Sequence, residues 1–119
     1  MKTHEDLDVW QRSIDLTVNI YSITDNLIEN KKFEFTKQIR RAAISIPSNI
    51  AEGAARSSDK DFIKFLYYSL GSLTELETQL IISNRLGLVN NNDIMTELNK
   101  IKQMLLGLIR FLKNRIKTK

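Results

Sequence analysis

The chain has 119 residues, 18 of them Lys or Arg and 14 Asp or Glu, for a formal net charge of +4. That length suits one domain, and 42% hydrophobic with 27% charged residues supplies a core and argues against wholesale disorder. Cysteine is absent and His4 is the single histidine, so disulfides, thiolate catalysis and Cys-ligated zinc or iron–sulfur sites are ruled out, and a metal site would need carboxylates alone. The polar start Met1-Lys2-Thr3-His4-Glu5-Asp6 has no signal-peptide pattern. No run approaches the ~18 apolar residues that span a bilayer. The expectation is a soluble, cytoplasmic, single-domain protein of a reducing compartment.

Few turns are expected from one proline and four glycines, and long periodic runs take their place. The first run covers about residues 5–30. Leu7, Trp10, Ile14, Thr17, Tyr21 and Ile28 lie on a 3-4 spacing, with a second stripe of Val9, Leu16, Ile20, Ile23 and Leu27 beside it. Two stripes on one helix suggest a helix wedged between neighbours. Asn26, Asn30, Lys31 and Lys32 mark its end.

A second run, about 34–55, carries Ile39, Ala42, Ala43, Ile46, Ile50 and Ala54 and is interrupted by Pro47. Proline cannot bond to the carbonyl four residues back, that of Ala43, so one bent helix is expected, with Ser45 and Ser48 available to the freed groups. The third run, about 58–86, opens on Ser58 and Asp61, spaced like a weak capping box. It repeats Phe62, Leu66, Ser69, Leu73, Leu76 and Leu80 as a bundle seam. Ile63, Tyr67, Leu70 and Ile81 form a second stripe there, and Gly87-Leu88 reads as its stop. Asn90 to Asp93 then turn the chain and cap a fourth run, about 92–116, seamed by Ile94, Leu98, Ile101, Leu105, Leu108 and Leu112.

Short connections force antiparallel neighbours, so the expected fold is all-α, an antiparallel up-down-up-down four-helix bundle. Gly71 and Gly107 fall inside helices, at about 1 kcal/mol each, and are expected to mark close helix–helix approach. The extra apolar stripes exceed what one bundle buries and point to a homo-oligomer.

Enzyme templates find no match. His4 sits near a terminus, no Gly-rich phosphate loop occurs, and Glu75 and Glu77 are two residues apart on one helix, pointing to different faces. A non-enzymatic protein without cofactor or metal is expected. From Lys100 onward Lys100, Lys102, Arg110, Lys113, Arg115, Lys117 and Lys119 occur with no acid, leaving residues 1–99 at −3. Lys37, Arg40 and Arg41 make a second basic knot. One-sided charge suits a polyanion such as RNA or DNA, or serves simply as a solvated surface. Ser48, Asn49 and Glu52 form a polar motif beside the apolar stripe. Buried, it would need partners, with Arg40, Arg41 or Arg56 at hand for Glu52; a structural clamp is favoured over ligand contact. Trp10 and Tyr21 are read as core.

Three stretches carry a resemblance: Asp8-Val9-Trp10-Gln11, Gln38 through Gly53 (QIRRAAISIPSNIAEG), and Gly71 through Leu80 (GSLTELETQL). From about Leu7 to Leu112 the chain resembles the small four-helix-bundle proteins encoded within intervening sequences of bacterial 23S rRNA genes. It is similar also to the accessory protein of diversity-generating retroelements, a basic bundle that works with a reverse transcriptase. The resemblance implies a homopentameric barrel, no catalytic residues, and RNA or DNA as the suggested ligand. Arg40 and Arg41 match the family's paired arginines, and Asn49 and Glu52 its polar pair. The basic tail from Lys113 lies outside the shared motifs. The residues expected to contact nucleic acid are Lys113, Arg115, Lys117 and Lys119 first, on charge alone, with Lys37, Arg40 and Arg41 as a second set. The alternative is a scaffold that docks a protein partner such as a reverse-transcriptase-like or ribosome-associated protein.

Overall fold

The computed structural model describes residues 4–29 and 33–118. Ile28 on the first seam, the break at Asn30, Lys31 and Lys32, and Lys119 in the tail fall outside the residues whose side chains are described. A short 3-10 turn, His4–Asp6, precedes α1 (Asp8–Glu29); then follow α2 (Phe33–Ala54), α3 (Asp59–Arg85) and α4 (Asn92–Lys117). There is no strand among the described residues, so the fold is an all-α four-helix bundle. Each helix packs on two others, α1 and α3 both contacting α2 and α4. No described helix is long and apolar enough to cross a membrane.

The core is fed from one stripe of each helix. On α1 the buried stripe is Val9, Ser13, Leu16, Ile20, Thr24 and Leu27, while Ile14 and Tyr21 of the other stripe stay exposed. This reverses the weight the spacing gave them. Ser13 and Thr24 interrupt the true inner stripe, yet their hydroxyls cost little there because they donate back to Trp10 O at 2.7 Å and Ile20 O at 2.6 Å. On α3 the 4-3 seam from Phe62 to Leu80 is buried, and on α4 Ile94, Leu98, Ile101, Leu105, Ile109 and Leu112 are.

α2 runs as one helix across Pro47, which is itself buried. The Ala43 carbonyl that Pro47 cannot bond is met from α1: the Thr17 hydroxyl lies 2.8 Å from Ser13 O and 3.2 Å from Ala43 O, sharing its proton between them. Compensation thus comes from Thr17 on a neighbouring helix, and not from Ser45 or Ser48. On the other side of α2 the buried Ser69 hydroxyl of α3 donates to Ile46 O at 2.9 Å.

Close helix approach occurs at Gly53, not at Gly71 or Gly107. A Cβ on Gly53 would stand 2.7 Å from Phe65 Cβ and 3.2 Å from the Phe62 carbonyl, whereas one on Gly71 meets nothing within 4 Å and one on Gly107 only Arg110 at 3.9 Å. The α3 termini follow local chemistry. Ser58 Oγ accepts from Asp61 N–H at 3.1 Å. At the other end Gly87 takes φ +72°, with Gly87 N–H on Asn84 O and Leu88 N–H on Ser83 O, the paired bonds of a Schellman stop. Asn91 precedes α4, but its side chain does not cap that helix; its amide donates to the Leu80 carbonyl at 2.8 Å and ties the turn to α3.

Candidate nucleic-acid interface

One face of α2 gathers five of the residues singled out in the sequence. Lys37, Arg40, Arg41, Ser48 and Asn49 line an open groove of about 590 Å³, together with Phe33, Thr36, Ile44 and Ser45 of α2 and Tyr21 of α1. The helix repeat explains the grouping, since positions three and four apart share a face. The groove interleaves cations with apolar side chains: Phe33 is 57% exposed, Ile44 42% and Tyr21 37%.

The three cations are not equivalent. Arg40 is fixed: its Nε donates to Thr24 Oγ1 at 2.9 Å, and its Nη2 donates to Tyr21 O at 3.0 Å and Asp25 Oδ1 at 2.8 Å. Its guanidinium lies 4.3 Å from the centroid of the Tyr21 ring, a cation–π stack that holds both side chains in place. Lys37 and Arg41 are exposed and have no ion pair among the described residues. They present their charge one turn apart. Thr36, beside them, has a buried hydroxyl without a hydrogen-bond partner among the described residues. Asn49 donates to Ser45 O at 2.9 Å.

Glu52 stands apart. It is exposed and pairs with Arg56 one turn on, at 2.9 Å. Ser48, Asn49 and Glu52 therefore form no buried clamp; Ser48 and Asn49 line the groove and Glu52 does not. Arg56, and not Arg40 or Arg41, is its partner, because a residue four positions away on an exposed helix face is the nearest cation.

The C-terminal basic residues are arranged differently. Arg115 makes two bonds to Asp59, Nε to Oδ2 at 2.7 Å and Nη2 to Oδ1 at 2.6 Å, joining the last turn of α4 to the first turn of α3. Both charges also complement the dipoles of their helix ends. The hydrogen bond to Asp59 raises the pKa of Arg115 above its ordinary value, against a smaller opposing effect of desolvation and with the Asp59 charge adding to the rise. Lys113 Nζ donates to Tyr67 Oη at 2.7 Å. Lys117 is exposed. The tail is thus partly spent on holding α4 to α3.

Tyr21, Phe33, Thr36, Ile44 and Ser45 are the groove residues that sequence does not assign to a site. Phe33 and Ile44 fall at helical spacing from Lys37, Arg40 and Ser48, but spacing alone does not show that this face points outward, and Tyr21 reaches the groove from α1. Trp10 is half-buried, its ring edge against His4 at 4.9 Å between centroids. Among the described residues no three His, Asp or Glu side chains gather as a metal would require.

Fold and composition define the class: a small, basic, all-α four-helix-bundle protein. The chain belongs to the 23S rRNA-intervening sequence protein family, whose sequence pattern matches residues 5–107. It is similar to a protein of unknown function from the S23 ribosomal protein family of Bacteroides thetaiotaomicron VPI-5482, known from a crystal structure. The two share 28% identity with a TM-score of 0.80, over 85% of this chain and 97% of that one. No curated protein matches it.

Proposed function

We propose that the protein is a non-enzymatic, oligomeric nucleic-acid-binding protein that contacts the RNA or DNA backbone through basic surface. The observation that carries this reading is the α2 groove, where Lys37 and Arg41, without an ion pair among the described residues, stand exposed beside the anchored Arg40. Unpaired cations on a shared face release condensed counterions from a polyanion on contact, an energy that needs no base readout. Lys113, Arg115 and Lys117 form a second, weaker set.

In this reading the bundle is antiparallel, up-down-up-down, in keeping with Arg40 meeting Thr24 and Arg115 meeting Asp59. Copies associate through apolar side chains left outside the core, among them Val18 of α1 and Tyr68, Ile81 and Ile82 of α3. The family resemblance implies five copies, the cysteine-free composition suits a cytoplasmic setting, and the family's link to 23S rRNA genes makes structured RNA the first ligand to try.

The test is fluorescence anisotropy of a labelled structured RNA titrated with protein at several salt concentrations. Binding that weakens steeply as salt rises is expected, with a log–log slope reflecting several phosphates. Absence of binding at low salt would contradict the reading. The exposed apolar faces would then favour a protein partner, whose capture from lysate should survive nuclease digestion.

A further inference from the structure

The α2 groove is more than a patch of charge. A surface that binds only phosphates has no use for exposed aromatic and aliphatic side chains between its cations, yet Phe33 and Ile44 are about half exposed there. They keep company with the Arg40–Tyr21 stack, whose guanidinium is held flat by three hydrogen bonds. Flat cationic and aromatic faces next to free positive charge are what single-stranded nucleic acid requires, because every base offers a π-face and every nucleotide a phosphate. The volume, about 590 Å³, lies within the roughly 300–1,000 Å³ of clefts that hold small organic groups. Thr36 also lines this groove, its buried hydroxyl without a hydrogen-bond partner among the described residues, a cost that buried polar groups rarely carry.

Building on the nucleic-acid reading, we propose that this groove takes an unstacked base of a single-stranded polynucleotide, the base lying against Phe33, Ile44 and the Arg40 guanidinium and its phosphate on Lys37 and Arg41. A duplex hides its base faces and can engage only the two cations. The groove therefore gives the protein a preference for single strands that backbone contact alone does not supply.

The experiment compares the full chain with Phe33→Ala and Phe33→Tyr. Each is titrated with a labelled single-stranded oligoribonucleotide and with the duplex of the same strand, alongside light scattering for assembly size. The unsubstituted chain is expected to bind the single strand about tenfold more tightly than the duplex, in line with the loss seen on removing one stacking side chain. Phe33→Ala is expected to erase that preference by weakening the single strand alone, and Phe33→Tyr to keep it. Equal affinity for both forms, or a preference that survives Phe33→Ala, would overturn the base-stacking groove while leaving the backbone-binding reading intact. Binding to neither form would overturn both. A fall in assembly mass on Phe33→Ala would make the groove a contact between copies and overturn the proposal. So would polyglutamate binding as tight as the RNA and equally sensitive to Phe33, which would mark an acidic protein as the occupant.

Discussion

In sequence the two basic regions look alike: Lys37, Arg40 and Arg41 on α2, and Lys113, Arg115 and Lys117 on α4. In the folded protein they differ in what stands opposite them. The α4 tail faces the N-terminal part of α3, where Asp59 in the first turn takes Nε and Nη2 of Arg115, and Tyr67, two turns further on, takes Lys113. Of the three α2 cations Arg40 alone bonds to α1; among the described residues Lys37 and Arg41 have no ion pair, and they border exposed aromatic surface. A cation's availability is set by the partner across the bundle, which local charge density does not reveal. On this account the α4 cluster is the more structural one, and the α2 cluster is the binding surface.

The glycines obey the same rule and give the largest expected effect. Gly53→Ala drives a Cβ to 2.7 Å from that of Phe65, which the rigid α2–α3 contact cannot relieve without moving a helix. A loss of about 2–3 kcal/mol in urea unfolding is expected, as for other overpacked cores. Gly71→Ala, with no atom within 4 Å, is expected instead to gain about 0.5–1 kcal/mol from helix propensity. A loss there would show that another copy covers Gly71.

A smaller effect is expected where the tail is tied down. Asp59→Asn removes the carboxylate that Arg115 grips, so the thermal midpoint should fall, and the difference from the unsubstituted chain should shrink as salt screens the pair. RNA affinity is expected to hold steady or rise slightly, since a cation is released from its partner. A drop in affinity with unchanged stability would reverse the roles given to the two regions.

Much of the architecture could be read from spacing alone. The α3 seam from Phe62 to Leu80 repeats without interruption and is buried throughout, and Gly87-Leu88 announces a stop that the backbone then makes. The first helix was harder because its inner stripe includes Ser13 and Thr24, whose burial is tolerable only through hydrogen bonds that spacing does not show. The role of Gly53 depends on Phe62 and Phe65 of another helix. The candidate site was half visible: Lys37, Arg40, Arg41, Ser48 and Asn49 do share a groove. Its aromatic and aliphatic lining was hidden, because Tyr21 was counted as core and whether Phe33 and Ile44 face outward depends on tertiary packing. The pairing of Arg115 with Asp59, 56 positions apart, lay beyond any local pattern.

The division of labour between the two basic regions is best tested by the salt dependence of single-stranded RNA binding in two double variants, Lys37→Ala/Arg41→Ala and Lys113→Ala/Lys117→Ala. Each phosphate contact on a single strand contributes about 0.7 to the log–log slope. The α2 variant is expected to lose about 1.4 from the slope and to bind about tenfold more weakly at moderate salt, with the α4 variant losing half that slope or less. An α2 variant with the slope of the unsubstituted chain, beside an α4 variant that loses most of its binding, would contradict the account.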